Sequence, residues 1–455
     1  MSVTYTQELP VLYDADVLVI GAGPAGIGAA ISAARNGANT VVFDIHGCVG
    51  GMATIGMIGP FMTSYDASCK NMIIRGIFEE LENKMIAVGK AIDPAVVRNE
   101  GRYASFFHIG HNNVGPFDRQ YLKLFATRLI IESGAKLLLH TQFIDVLKEG
   151  NKITGVVVAN KDGMGVIKAK QFVDCTGDAD VAAKAGVNYE LGDSITGNMQ
   201  PMSMFLRVSH VDSQQVEKEM REHSAEIRPF FGPYSWLIKE KAEDWGDFPR
   251  GEVCVFGDVE EDEFRLNVTR ILNADGTKTE DLTRAEIEGL EQAHRVFNFM
   301  KKNAKGFENA RLAEIADTIG IRETRHIEGE YRLSGDEVAN CVVQPDAIAC
   351  MATNMDNHNL NDPGGSLMPP TKGEYFGVPY LCLVAKGVDN LLVAGRAISA
   401  DPIAASATRM MPCCMAFGQA AGTAAAIAFK NNQKPKDVDV QALRQTLRDQ
   451  GAFVG

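Results

Sequence analysis

Residues 16–20, DVLVI, form a short apolar run that stops at Gly21. A run with no polar alternation predicts a strand buried on both faces. Residues 25–36 follow in small and apolar residues of helical composition, Gly37 stops them, and 40–44, TVVFD, is apolar again. Together they predict one βαβ unit. Farther on, 118–133, DRQYLKLFATRLIIES, repeats its apolar positions at helical spacing behind Asp118, and Gly134 follows. Asp is a natural N-cap and Gly a natural helix stop. Four runs at 136–140, 142–148, 152–159 and 166–173 alternate with turn residues such as Gly150-Asn151 and Asp162-Gly163. They predict a small antiparallel meander.

Residues 190–375 differ in character: they are richer in charge and hold both tryptophans, Trp236 and Trp245. Helices are expected at 211–224 and 283–303, and strands near 204–209, 252–256, 263–270 and 325–333. The apolar pattern returns at 390–395, NLLVAG; Pro412 then opens an Ala-rich helix to about 429, and 438–449 reads as a short amphipathic helix. Proline suits the first turn of a helix. The weakly polar stretch near 415–429 reads as too short and too rich in Ala and Gly to span a bilayer. The expected fold is α/β. A Rossmann-type domain with a central parallel sheet and the small antiparallel meander is built from 1–190 and 376–455, and 191–375 forms an inserted α+β domain.

The βαβ unit carries a specific signature at its first turn. Gly21-Ala22-Gly23-Pro24-Ala25-Gly26 matches GxGxxG, follows a strand and opens a helix. Gly21 permits the tight turn, Gly23 lets a pyrophosphate approach the backbone, and Gly26 lets helix and strand pack closely. The free N–H groups and the helix dipole then face the phosphates. Asp44 ends the second strand, where a carboxylate can accept ribose hydroxyls. The pattern predicts dinucleotide binding rather than a plain glycine turn, and it does not separate NAD from FAD.

Composition narrows the classes. The chain has 455 residues, 45% hydrophobic and 23% charged, with a formal net charge of -13. That is globular composition, and the acidity argues against a nucleic-acid groove or an anionic membrane surface as partner. The nine cysteines include no CxxC pair, and no His, Asp or Glu cluster has metal-ligand spacing. No zinc ribbon, iron–sulfur run or other metal site is therefore expected. The cysteine usage and an N-terminus without a leader pattern read as a reduced, cytoplasmic protein.

Three further features favour FAD: Gly50-Gly51 after the acid, Thr176-Gly177-Asp178 after the meander, and NLLVAGR before an Ala/Gly-rich helix. With VLVIGAGPAGIGAA, GGMATIGMIGPF, FVDCTGDADVAAKAG and IGIRETRHIEGEY, the chain resembles the FAD-dependent oxidoreductase family of the glutathione-reductase-type FAD fold. It is more distantly similar to the fumarate reductase/succinate dehydrogenase flavoproteins. Asp44 stands where that family more usually has Glu. The resemblance implies a noncovalent FAD. It implies that Gly21, Gly23, Ala25 and Gly26 hold the pyrophosphate and Asp44 the adenosine ribose. Gly51, Met52 and Ala53 would pass beside the ribityl–pyrophosphate stretch. Asp178 would lie near the cleft, and Gly395 and Arg396, with Ile398 and Ser399, would line a second approach. The helix from Pro412 would aim its N–H groups at the flavin.

Catalysis is expected on the exposed flavin face. Arg322 and Arg325 alternate along the expected strand and suit a carboxylate clamp, or else ion pairs to Glu323, Glu328 or Glu330. His358, in the loop 354–359, is the candidate base, or else a loop histidine bonded locally. Arg409, before the flavin helix, is a candidate for substrate or flavin charge, or else a structural cap. Tyr375, Tyr380, His108 and His111 are weaker candidates, and Cys413-Cys414 and Cys48 read as packing rather than redox groups. The expected reaction moves a hydride between a small polar organic substrate and flavin N5. The alternatives are an electron-relay subunit of a larger complex, or a flavin-containing isomerase or hydratase. Substrate identity, electron acceptor or donor and oligomeric state, including a homo-oligomer, stay open.

Overall fold

The computed structural model describes residues 2–108, 110–193, 197–227, 232–358, 366–370 and 372–455. Asn359 of the candidate histidine loop and Gly364-Gly365 of the glycine-rich stretch lie outside them. The fold is α/β. Strand β1 (Val11–Ile20), helix α1 (Pro24–Arg35) and strand β2 (Thr40–Phe43) make the expected βαβ unit. β1 and β2 run parallel with Leu18 opposite Val41. Both are buried along their paired lengths, which is why their sequences are unbroken apolar runs.

The other strands of the sheet are β3 (Lys136–Leu138), β4 (Gln142–Glu149), β5 (Lys152–Asn160) and β6 (Gly163–Asp174). The order is β3-β2-β1-β6-β5-β4, and the short strand Leu391–Val393 also pairs with β6. The meander differs from the expected one. β3 is a parallel edge strand on β2, so only β4, β5 and β6 run antiparallel. β6 joins the two arrangements: its first half pairs with β5, its last residues with Leu391–Val393, and its other edge with β1. The helix Arg119–Glu132 follows the expected cap: the Asp118 carboxylate accepts the N–H groups of Gln120 and Tyr121 at 2.8 and 3.3 Å.

Helix α1 packs on the helix Met411–Lys430 with almost no space between backbones. A Cβ on Gly418 would sit 1.9 Å from the Ala25 carbonyl oxygen, and one on Gly422 would sit 2.2 Å from that of Ala29. Small residues on both helices therefore set this contact, which accounts for the Ala/Gly composition. At 20 residues the helix is long and apolar enough to cross a membrane, contrary to the sequence reading. Its most apolar window is 83% buried inside the fold.

A second, antiparallel sheet orders Arg311–Ile315, Leu206–Ser209, Phe264–Asn267 and Cys254–Gly257. With the helix Thr279–Asn303 it encloses an aromatic core that includes Tyr234, Trp236, Trp245, Phe264, Phe299 and Phe307. The expected strand 325–333 shrinks to Arg325–Ile327. Arg322 precedes it in irregular chain, so the two arginines do not alternate along one strand.

Candidate active site

One continuous cleft of about 1070 Å³ runs from the first βαβ turn to the second sheet. That is at the upper end of the roughly 300–1,000 Å³ usual for ligand sites, room for an extended cofactor and a small second molecule.

The near end is made by backbone. Gly21 has φ +95°, and a Cβ there would lie 2.5 Å from the Cys175 carbonyl oxygen, so only glycine lets the turn pass so close to the end of β6. A Cβ on Gly26 would lie 1.8 Å from the Gly21 carbonyl oxygen, the close packing its place in the motif implies, so Gly26 is turned into that contact and, unlike Gly21, Gly23 and Ala25, does not line the cleft as a pyrophosphate residue. Gly23 faces open space: a Cβ there would meet only the Gly51 Cα at 4.0 Å. Gly23 caps α1 without any side-chain hydrogen bond, so the first N–H groups of the helix face the cleft unsatisfied by a side chain. The same holds for Met410, which caps Met411–Lys430 and also lines the cleft. Two such termini on one cleft suit an anionic cofactor.

Asp44 directly follows β2 and lines the same cleft. Its Oδ2 accepts the Ala22 N–H at 2.7 Å, and its Oδ1 accepts the His46 N–H at 2.9 Å and lies 2.8 Å from His46 Nδ1. A carboxylate has about four acceptor positions, so capacity remains for ribose hydroxyls. Gly51, Met52, Ala25, Asp178, Gly395 and Arg396 line the cleft as expected. Asp178 Oδ1 receives Arg396 at 2.5 Å and the Thr324 hydroxyl at 2.6 Å.

Ala53 and Ser399 do not line it. Ala53 is buried in the core beside the glycine loop. Ser399 is 1% exposed and holds backbone bonds to Cys382 and Leu333, with its side chain against Gly329, and Ile398 is likewise buried. The chain turns inward after Arg396, so the second approach ends there.

The far end is made by side chains from distant segments. His358 Nε2 lies 3.1 Å from Asp356 Oδ1 and 3.2 Å from Oδ2. Arg409 Nη2 donates to Asp356 Oδ2 at 3.0 Å and to its carbonyl at 2.9 Å. Arg322 lines the same wall and donates to the Pro201 carbonyl. Arg250, absent from the sequence reading, donates to Glu252 at 2.7 Å in a pair that is almost wholly buried. Burial opposes the charge on Asp356, yet His358, Arg409 and Arg322 together hold its carboxyl well below the usual range. Burial lowers the His358 imidazole, Asp356 raises it and Arg322 lowers it, with a net fall to about 4. Burial, then Arg409 and Arg250, bring the Arg322 guanidinium down to about 9.

Arg325 also lines the cleft but is not part of this cluster. Its Nη1 donates to Asp180 Oδ1 at 2.8 Å and to the Asp178 carbonyl at 2.7 Å. The ion-pair alternative fits it, with Asp180 as partner in place of the neighbouring glutamates. Glu323 instead pairs with His326, and Glu328 with Lys386. Tyr380 is fully buried with its hydroxyl on the Pro435 carbonyl at 2.8 Å, and Tyr375 packs edge-on against Phe453, so neither is an active-site hydroxyl. His108 and His111 stack at 4.0 Å and line the cleft.

The cysteines are all free. Cys414 lines the cleft, but burial pushes its thiol up to about 12. One grouping had no sequence signal: the ligand atoms of His108, Glu252 and Cys254 lie within 4.8 Å of one another. Arg250 already supplies a cation there, bonded to Glu252 and 3.9 Å from Cys254 Sγ.

An α/β fold with a glycine-turn nucleotide cleft and a polar far wall defines a dinucleotide-dependent enzyme. The family model described as FAD dependent oxidoreductase matches residues 16–447, and the chain belongs to that family. It is an FAD-dependent enzyme with a flavin redox role. A tRNA uridine 5-carboxymethylaminomethyl modification enzyme MnmG of Lachnoclostridium phytofermentans is 31% identical over 169 residues, 36% of this chain and 25% of that one. A thiamine thiazole synthase of Aeropyrum pernix is 29% identical over 181 residues, 37% of this chain and 57% of that one. The chain thus matches less than two thirds of the length of either relative. A geranylgeranyl bacteriochlorophyll reductase-like structure from Thermoplasma acidophilum aligns over 97% of this chain and 84% of that chain, at 13% identity and TM-score 0.45.

Proposed function

We propose that the protein transfers a hydride between a small polar organic substrate and a noncovalently bound FAD. The observation that carries this reading is the single cleft joining the α1 terminus and Asp44 to the Arg322–Arg409–Asp356–His358 wall. In this reading Gly21, Gly23, Ala25 and Gly51 receive the pyrophosphate, Asp44 the ribose, and Met52, Gly395 and Arg396 the stretch toward the flavin. Segments 1–190 and 376–455 carry the cofactor, and 191–375 covers the substrate. The two relatives, by their names, modify a tRNA uridine and synthesise a thiamine thiazole, and they point to no common substrate.

FAD, when bound, supplies a two-electron acceptor for hydride. The chain supplies the proton chemistry. Asp356 accepts the His358 Nε2–H, which fixes the tautomer and leaves Nδ1 with the lone pair. His358 is neutral at pH 7 and takes the substrate O–H or N–H proton while the adjacent C–H bond breaks. Arg409 and Arg322 stabilise the negative charge that develops on the heteroatom. The reverse direction, reduction of an activated double bond, uses the same groups.

The test is the visible spectrum of the purified protein, native and after acid precipitation, followed by anaerobic mixing with candidate donors. Flavin colour released to the supernatant and bleached by a donor supports the reading. Colour held in the pellet contradicts noncovalent binding. Turnover with no electron acceptor points instead to an isomerase or hydratase, and reduction only by a protein partner to an electron relay.

A further inference from the structure

The far wall carries more positive charge than it neutralises. Glu252 lines the cleft and is taken by Arg250, which does not line it; their side chains are only 10% and 4% exposed. Arg409 takes Asp356, which His358 shares. Both carboxylates are then used. Among the described residues Arg322 makes no ion pair, and its side chain donates only to the Pro201 carbonyl. A guanidinium has five N–H donors in a planar fork, so most of its donors are left for something in the cleft.

Among the described residues, the other groups facing the wall do not supply an anion for Arg322. His358 is neutral at pH 7, and burial keeps His111 neutral as well. Burial likewise keeps the Cys254 thiol protonated. Arg270 adds positive field at Arg322 and has a partner of its own. Among the described residues, Arg250 and Arg409 each hold a carboxylate and Arg322 does not. Arg322 is half-buried in the cleft wall, and unpaired charges so placed concentrate where a ligand completes them.

We infer that Arg322 binds a single carboxylate of the substrate, so that the substrate is a small monocarboxylic acid whose reacting carbon is presented to His358. The fork geometry matches a carboxylate in a two-bond arrangement, and Arg322 is the one arginine of the three that holds no carboxylate among the described residues. This rests on the hydride-transfer reading for the word substrate, but the anion site itself does not.

The experiment uses the FAD-loaded enzyme and three acids with their amides as probes: acetate and acetamide, lactate and lactamide, benzoate and benzamide. Binding is read from the flavin difference spectrum and from the rise in Tm. At least one acid is expected to saturate while its amide has no effect. Malonate is expected to bind less tightly than the best monoacid. Arg322→Gln is expected to weaken that acid about tenfold or more, with Arg322→Lys in between and flavin content unchanged.

The inference is overturned if no acid binds, if an amide binds as well as its acid, or if Arg322→Gln binds like the parent. The acid–amide comparison in the unaltered enzyme keeps the test decisive should the Gln variant not fold. The two readings fail separately. Acid binding without bleaching by any donor keeps the anion site and rejects hydride transfer. Bleaching by neutral donors alone keeps hydride transfer and overturns the inference.

Discussion

The two ends of the cleft are built by opposite means. The nucleotide end is backbone: glycines, two helix termini with no side-chain cap, and one carboxylate anchored by Ala22 and His46. The far end is side chain: Arg322, Asp356, His358 and Arg409, brought from three separate segments, with His358 and Arg409 both bonded to Asp356 and Glu252 of the same wall held by Arg250. Backbone chemistry tolerates no added atoms, whereas a wired side-chain cluster tolerates substitution in shape but not in charge. The two ends should therefore break differently.

The largest effect is expected at the nucleotide end. Gly26→Ala puts a methyl group 1.8 Å from the Gly21 carbonyl oxygen, against backbone that cannot move aside. It should cost about 3 kcal/mol or more, measured as a large fall in Tm and a protein recovered without flavin colour. A normal holoenzyme would show that the close packing is dispensable.

Next in size is His358→Gln. It keeps a polar side chain but removes the base, so kcat/KM should fall by about 10²–10⁴ while flavin content and Tm stay near the parent's. Loss of flavin in this variant would erase the contrast between the ends.

A smaller effect is expected for Asp44→Ala. Loss of one charged acceptor for the ribose should weaken FAD by about tenfold or more, read by fluorescence titration of the apoprotein, with kcat unchanged once the site is saturated.

The smallest effect is a shift in a pH profile. Burial and Arg322 outweigh Asp356 and hold His358 at about 4, so the neutral base persists well below its ordinary 6.5. The acid limb of kcat/KM should lie near pH 4. With an anion on Arg322 the lowering influence weakens, so the acid limb of kcat should lie higher. The sign for stability follows: the folded value is below the unfolded one, so the contribution is present above pH 6.5 and is lost as pH falls toward 4. An acid limb of kcat/KM near 6.5 would mean that the histidine is solvated.

The same contrast explains what the sequence revealed. GxGxxG and Asp44 sit within one βαβ unit, and local pattern is enough to place them. The Arg119–Glu132 helix was legible for the same reason, through Asp118 and its apolar stripe. Ala53 and Ser399 were misplaced because being next to a lining residue says nothing about which way the chain turns afterwards. β3 was assigned to the meander because a short apolar run does not reveal its direction.

At the far end, spacing misled. Arg322 and Arg325 are three apart, but the strand begins only at Arg325, so one reaches the wall and the other reaches Asp180. Arg250 and Glu252 gave no signal, since nothing local marks a charged pair as buried. Asp356 had one: it stands two residues before His358, and alternation along an extended segment puts both on one face.

The most direct test of the division between the two ends is anaerobic single-turnover reduction of the bound flavin in His358→Gln beside the parent enzyme, with FAD occupancy measured in both. The expected result is equal occupancy and a reduction rate lower by about 10² or more. Equal rates at equal occupancy, or an enzyme that no longer holds FAD, would contradict it.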